Sequence, residues 1–177
     1  AGAFPTSYIP TVAASVTRAL DNVNATLTGQ VSSSVGSVYT KASQPHISVG
    51  GYTHEIDDGS TVNRYFSSLD AGLDWNTNGV SAAGDDLLLG SAMTAADGVI
   101  YTIAYAYAED DGAQYIDGAA QGTAAAFDPP IVAMTRIIIG GRITTAFMNG
   151  HIAELRYYNV RKDNQFLEDL SNGTKLP

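Results

Sequence analysis

The 177-residue chain contains no cysteine, which excludes a disulfide framework and any thiolate metal site but leaves the compartment open. Its three histidines, His46, His54 and His151, show none of the i, i+2 or i, i+4 pairing that holds zinc. Lys and Arg together number nine, scattered along the chain, against eighteen Asp and Glu. With a formal charge of −9 and no cationic cluster to meet phosphates, a nucleic-acid surface is excluded. No apolar run approaches the roughly 20 residues that a membrane helix needs, so membrane insertion is not expected. The chain opens on Ala1 with no basic segment ahead of an apolar one, and the expectation is a piece of a longer protein.

Charged residues are also scarce, at 15%, while hydrophobic residues reach 45%. A helical bundle would be rich in Glu and Lys; abundant Gly, Ala, Ser and Thr suit a β-sandwich with tight turns. The length fits one domain with a full core. Pro5 and Pro10 hold their predecessors extended, so residues 1–10 read as a linker and 11–177 as the domain.

Strands are expected at 11–17, 25–28, 36–41, 46–52, 62–67, 99–108, 119–126, 131–140 and, after a turn, 151–158. Asp58-Gly59, Asn78-Gly79, Asp97-Gly98, Asp111-Gly112, Asp117-Gly118 and Asn149-Gly150 all tolerate the positive φ angles of tight turns. In 99–108, Tyr101, Ile103, Tyr105 and Tyr107 alternate with Thr102, Ala104, Ala106 and Ala108, giving one aromatic face and one small face. Near the end, His151, Ala153, Leu155 and Tyr157 alternate with Ile152, Glu154, Arg156 and Tyr158. The run Ile137-Ile138-Ile139 predicts burial on both faces. A single helix is expected at 162–170, with Phe166, Leu167 and Leu170 on one stripe and Asn172-Gly173 as its stop. Closely spaced turns between short strands mean an antiparallel sandwich or barrel.

Three stretches carry a family resemblance. The ending, Asn149-Gly150-His151-Ile152, a charged middle, Arg156-Tyr157-Tyr158-Asn159 and a basic pair before a small helix, resembles the last strand of concanavalin A-like (laminin-G-like) jelly-roll domains of phage tail and virion proteins. The opening, Ala1 to Thr11 followed by Val16-Thr17-Arg18-Ala19, is similar to the junction that introduces such domains. The stretch 103–118, with Tyr115-Ile116-Asp117-Gly118, is similar to the family's strand and hairpin. The resemblance implies an all-β, antiparallel two-sheet jelly roll with one short C-terminal helix. It further implies a non-catalytic carbohydrate-binding module of a tail fibre or virion surface, extracellular, within a homotrimeric fibre, with sugars on the concave sheet or among loops at one edge. A virion spacer without a ligand is the alternative; a glycoside hydrolase or polysaccharide lyase is the third reading.

Glu55-Ile56-Asp57 places two carboxylates on one face of a strand, as in the superfamily's glucanases, but no third carboxylate follows. A strand running into an Asp-Gly turn explains the same residues. Glu109-Asp110-Asp111-Gly112 reads as a solvated hairpin tip. Laminin-G-like domains often hold calcium near a sugar site, which makes Asp110 and Asp111 candidate ligands, although no EF-hand spacing is present. Trp75, flanked by Asp74 and Asn76, pairs an aromatic face for a sugar ring with hydrogen-bonding neighbours. The candidate glycan site is therefore Trp75, Asp74 and Asn76 on one loop, converging with Gln114, Tyr105 and Tyr107 near the hairpin tip. A sandwich core explains Trp75 and the tyrosines equally.

Overall fold

The structure, a computed structural model, describes residues 23–27, 29–45, 50–82, 86–142 and 147–174. Among these the chain forms eleven strands and one helix: β1 (Val23–Thr26), β2 (Gly36–Ser43), β3 (Tyr52–Asp57), β4 (Arg64–Leu69), β5 (Trp75–Val80), β6 (Leu87–Leu89), β7 (Ile100–Ala108), β8 (Asp111–Ile116), β9 (Ala119–Ala124), β10 (Arg136–Ile139), β11 (His151–Tyr158) and α1 (Asn164–Ser171). They build two antiparallel sheets, in the orders β1-β10-β3-β4-β5-β6 and β11-β2-β7-β8-β9. This is the all-β jelly-roll sandwich with one short C-terminal helix that the turn spacing and the family-like ending imply.

The sheets meet through the faces that strand alternation assigns to them. From the six-stranded sheet, Ile56, Tyr65, Leu87 and Leu89 point inward to meet Val38, Tyr105 and Tyr107 of the other. Tyr101, Ile103, Tyr105 and Tyr107 all lie on the core face of β7, as its alternation predicts, and none is more than 7% exposed. The small residues behind them, Ala104 and Ala106, let α1 lie close on the outer face of the same sheet, where Leu167 and Leu170 pack on Tyr39 and Ala113. Asp163 caps the helix by accepting from the Phe166 amide at 2.7 Å, so it begins two residues later than the apolar stripe suggests.

Polar side chains bolt the sheets together. His54 Nε2 and the Tyr105 hydroxyl lie 2.8 Å apart across the core, and the Gln114 amide donates to Thr77 Oγ1 at 3.2 Å and to the Trp75 carbonyl at 3.3 Å.

Several expectations are corrected. Asn78-Gly79 is not a turn but the middle of β5, where Gly79 is needed because a Cβ would stand 2.9 Å from the Tyr65 ring and 3.1 Å from Leu87. The β7–β8 turn is Glu109-Asp110 rather than Asp111-Gly112, with Asp110 at φ 53°. Residues 131–135 do not join a strand, since Pro129 and Pro130 interrupt the ladder and β10 begins at Arg136. Within it Ile138 is buried while Ile137 and Ile139 are half-buried, because the neighbouring β1 is an exposed sheet edge. A bulge between Ile152 and Glu154 breaks the alternation of β11, so Ile152 pairs with core-facing Ala42 and shares the face of Leu155. Strands β5, β6 and β8 match none of the expected ranges, and β3 begins where the range 46–52 ends. The strand expected at 11–17 and the linker at 1–10 lie outside the described residues.

Candidate functional site

The glycan site expected from the sequence does not assemble. Trp75 is 1% exposed, with its indole 6.1 Å from the Tyr101 ring, and Tyr105, Tyr107 and Gln114 have no exposure at all. All four belong to the core, because each occupies an inward register position; no sugar ring can reach them. Gln114 does meet Trp75, donating to its carbonyl at 3.3 Å inside the core, but the Trp75 loop and the acidic hairpin tip sit at opposite ends of β7. Trp75 packs beside Tyr101 at its start, and the hairpin tip follows Ala108 at its end, seven residues or about 23 Å away.

The polar neighbours of Trp75 do reach the surface, tied into their own loop. Asp74 Oδ1 accepts from the Thr94 hydroxyl at 2.8 Å, and Asn76 donates to Asp70 Oδ2 at 2.7 Å. Asp70 also accepts the Gly72 and Asp74 amides, and these bonds, that of Asp74 first, hold its carboxyl below the usual range. At the hairpin tip, Asp110 Oδ1 accepts from the Phe127 amide at 3.1 Å and Asp111 Oδ1 from the Arg161 guanidinium at 2.7 Å. One oxygen of each carboxylate is thus engaged by an N–H donor. Among the described residues no three His, Cys, Asp or Glu side chains gather to hold a metal. His54 lies in the core, His151 on the surface, and His46 outside the described residues.

Glu55 and Asp57 share the outer face of β3, as their spacing requires, but arginines claim them. Arg136 grips Asp57 through Nε at 3.0 Å and Nη2 at 2.7 Å, a two-pronged pairing. Glu55 Oε2 accepts from Arg64 at 3.2 Å, with Arg142 at 3.6 Å. Arg64 in turn lies over the Phe66 ring at 4.7 Å, and Phe66 stacks on Tyr52 at 4.8 Å. Burial pushes the Glu55 carboxyl upward and outweighs both guanidiniums. A retaining glycosidase needs one carboxylate free to attack and one acid free to donate; here both carboxylates are engaged by cations and have no exposed surface.

An open cleft lies at the hairpin end. Ser33, Ser34, Glu109, Asp128, Pro129, Pro130 and Ile131 line a volume of about 690 Å³, within the range of small-ligand sites. The walls are rigidly founded. Tyr65 and Tyr107, their rings stacked at 3.8 Å, donate to the Ser33 carbonyl at 2.6 Å and the Ser32 carbonyl at 2.8 Å, and the Ser32 amide donates to the Tyr157 hydroxyl at 3.0 Å. The Asp110 amide donates to the Phe127 carbonyl at 3.1 Å, and with the reciprocal bond from the Phe127 amide this ties the tip to the segment carrying Asp128 to Ile131. Phe127 is buried against Tyr65; after it Asp128 and Ile131 project outward, Ile131 87% exposed, while Pro129 is half-buried and Pro130 buried. Tyr107 thus braces the Ser32 side of this cleft from beneath. Of the lining residues, only Glu109 carried a signal in the sequence, as part of the acidic tip. Asp128-Pro129-Pro130 is legible only as a strand breaker.

No protein-family model and no curated protein sequence matches the chain. Solved structures do share its fold. Domain 4 of AbnA, a GH43 extracellular arabinanase from Geobacillus stearothermophilus, in complex with arabinotriose, is 20% identical, with a TM-score of 0.66 over 81% of this chain and 69% of that one. The CBM40 of the Ruminococcus gnavus IT-sialidase, bound to α2,3 sialyllactose, is 10% identical, with a TM-score of 0.69 over 81% and 85%. Domains LG4-5 of the mouse laminin α1 chain are 13% identical, with a TM-score of 0.62 over 80% and 40%. At these identities the likeness establishes the jelly-roll sandwich, in the company of carbohydrate-binding and laminin-G domains.

Proposed function

We propose that this chain is a non-catalytic carbohydrate-binding module that takes a glycan in the cleft between Ser33-Ser34, Glu109 and the segment 128–131. One observation carries the reading: an open cleft whose lining mixes carboxylates and hydroxyls with prolyl and isoleucyl surface. A sugar ring presents the same mixture, hydroxyls at its rim and C–H groups on its faces. Binding rather than hydrolysis is favoured because Glu109 and Asp128 are both exposed, whereas an acid catalyst needs burial to stay protonated. The solved carbohydrate-binding modules of this fold support the substrate class, and an extracellular setting follows from it. The finer proposal, on the family-like ending, is a place in a phage tail fibre or virion surface protein, as a homotrimer.

A titration followed by amide NMR shifts tests the site. With a panel of oligosaccharides at millimolar concentration, shifts centred on Ser34, Glu109 and Ile131 are expected, weakened tenfold or more by Ile131→Asp. Shifts confined to the opposite end, around Asp74 and Asn76, or none across the panel, would sink it. Light scattering on the same sample distinguishes a trimer from a monomer.

A further inference from the structure

The chain holds three Asn-Gly pairs, Asn78-Gly79, Asn149-Gly150 and Asn172-Gly173, and the fold treats them differently. We infer that Asn172, at the C-cap of α1, is a self-modification site that deamidates in the folded protein through attack by the Gly173 nitrogen. An asparagine side chain is a carbonyl bearing a leaving amine, and the next amide nitrogen is the nucleophile nearest to it. Glycine leaves that nitrogen unshielded. Whether the two meet is then a question of backbone geometry.

Asn78 and Gly79 are paired on both sides, Asn78 with Phe66 and Leu88, Gly79 with Tyr65 and Leu87. Closing a ring turns the joining peptide about the Asn Cα–C bond, and here that motion breaks two ladders at once. Asn172 instead ends α1, its amide on the Glu168 carbonyl at 2.9 Å. It and Gly173 are exposed, and among the described residues a Cβ built on Gly173, at φ 78°, meets nothing within 4 Å. The Thr174 amide donates to Asn172 Oδ1 at 2.9 Å and shares its proton with the Asp169 carbonyl at 3.0 Å. The ring closed by the first of these bonds runs through Asn172 Cγ and the Gly173 nitrogen, so the side chain is folded back over its nucleophile. The same N–H points at the oxygen on which charge grows during the attack, the position of an oxyanion donor.

The Gly173 nitrogen gives its proton to solvent and bonds to Asn172 Cγ; the Cγ–Nδ2 bond breaks, and that nitrogen takes a proton from water and leaves as ammonia. Water then adds to one of the two carbonyls of the resulting cyclic imide and opens it, to aspartate or to β-linked isoaspartate. Either product places a carboxylate at the negative end of the helix dipole. Isoaspartate also adds a carbon to the main chain where α1 is seated on the turn after β8: Asn172 Cβ lies 2.7 Å from a Cβ built on Gly118, whose amide donates to Ser171 Oγ at 3.1 Å. The modification therefore loosens the C-terminal seat of the helix.

The test incubates the folded protein at mildly alkaline pH and reads all three asparagines in one digest by mass spectrometry, as a gain of about 1 Da, with isoaspartate identified by an isoaspartyl methyltransferase. Asn172 should convert while Asn78 stays intact, and in urea-unfolded protein the three should convert alike. Thr174→Pro removes the amide donor but keeps the Asn-Gly pair, and should lower the rate at Asn172 relative to Asn149 about fivefold, the worth of one hydrogen bond; circular dichroism confirms that the variant keeps its fold. Asn172 staying as intact as Asn78 in the folded wild type, a comparison that needs no variant, overturns the inference. An unchanged or raised rate ratio in folded Thr174→Pro overturns the part assigned to the Thr174 amide.

Discussion

Glu55 faces two guanidiniums unequally, and the inequality predicts unequal consequences. Arg64, 11% exposed, holds a hydrogen bond to Glu55 Oε2 at 3.2 Å, while Arg142, 29% exposed, approaches only to 3.6 Å. Removing the partner of a buried charge costs about 3–5 kcal/mol, whereas a more exposed, looser ion pair contributes about 1 kcal/mol or less. Arg64→Ala should therefore lower the unfolding free energy in urea by about 3 kcal/mol, and Arg142→Ala by under about 1 kcal/mol. Equal losses from the two variants would mean that the arginines share the carboxylate, against the geometry. None of this pairing was legible in the sequence. Asp57 and Arg136 are 79 positions apart, and only the ladders β4-β3-β10 bring the arginines beside their carboxylates. What the sequence did show was that Glu55 and Asp57 share a face, a local consequence of period two.

At the scale of the element, a glycine can serve a turn or a close approach, and the two look alike in a sequence. Asp117-Gly118 is read correctly as a two-residue hairpin turn: both residues have positive φ, 48° and 80°. Gly98, at φ 72° with nothing within 4 Å of a built Cβ, is likewise a backbone glycine. Gly79 follows an Asn just as a turn glycine would, yet it sits in a strand because Tyr65 and Leu87 occupy the space of a side chain. The two kinds separate under substitution. Asn tolerates the left-handed region better than Ala does, so Gly98→Asn should be milder than Gly98→Ala. At Gly79 the order reverses: Ala overpacks the core at about 1–3 kcal/mol, and the larger, polar Asn costs more. Denaturation midpoints of the four variants decide it; the same order at both positions would refute the packing role of Gly79. Strand β7 escaped such ambiguity because its period-two pattern runs over nine residues, longer than any competing turn signal. Trp75 did not escape it, since one indole between Asp74 and Asn76 fits an exposed loop and an inward strand position equally.

Across the whole molecule, the two sheets are joined by polar contacts as well as apolar ones, and one of these carries a pH dependence. His54 rises from β3 with no exposure, its Nε2 at 2.8 Å from the Tyr105 hydroxyl of β7 and its Nδ1 at 2.9 Å from Thr53 Oγ1. Burial lowers its pKa from 6.5 to about 3, so the folded protein keeps the ring neutral while the unfolded chain protonates it below about pH 6.5. In that window the unfolded state binds the extra proton, so stability rises with pH. The contribution is complete above the unfolded value and is lost as the pH falls, at roughly 1 kcal/mol per unit, until the folded ring also protonates near pH 3. Carboxylates titrate in the same acidic range, so the informative quantity is a difference between proteins. Between about pH 6 and pH 4.5, wild type should lose about 2 kcal/mol more unfolding free energy than His54→Gln, which retains an amide to meet Tyr105 but has no proton to accept. Because the bolts link both sheets, each protein should unfold in a single transition seen alike by far-ultraviolet circular dichroism and by Trp75 fluorescence. Parallel stability curves for the two proteins would show that His54 does not carry the acid sensitivity, and separate transitions for the two probes would show that the sheets are not held as one unit.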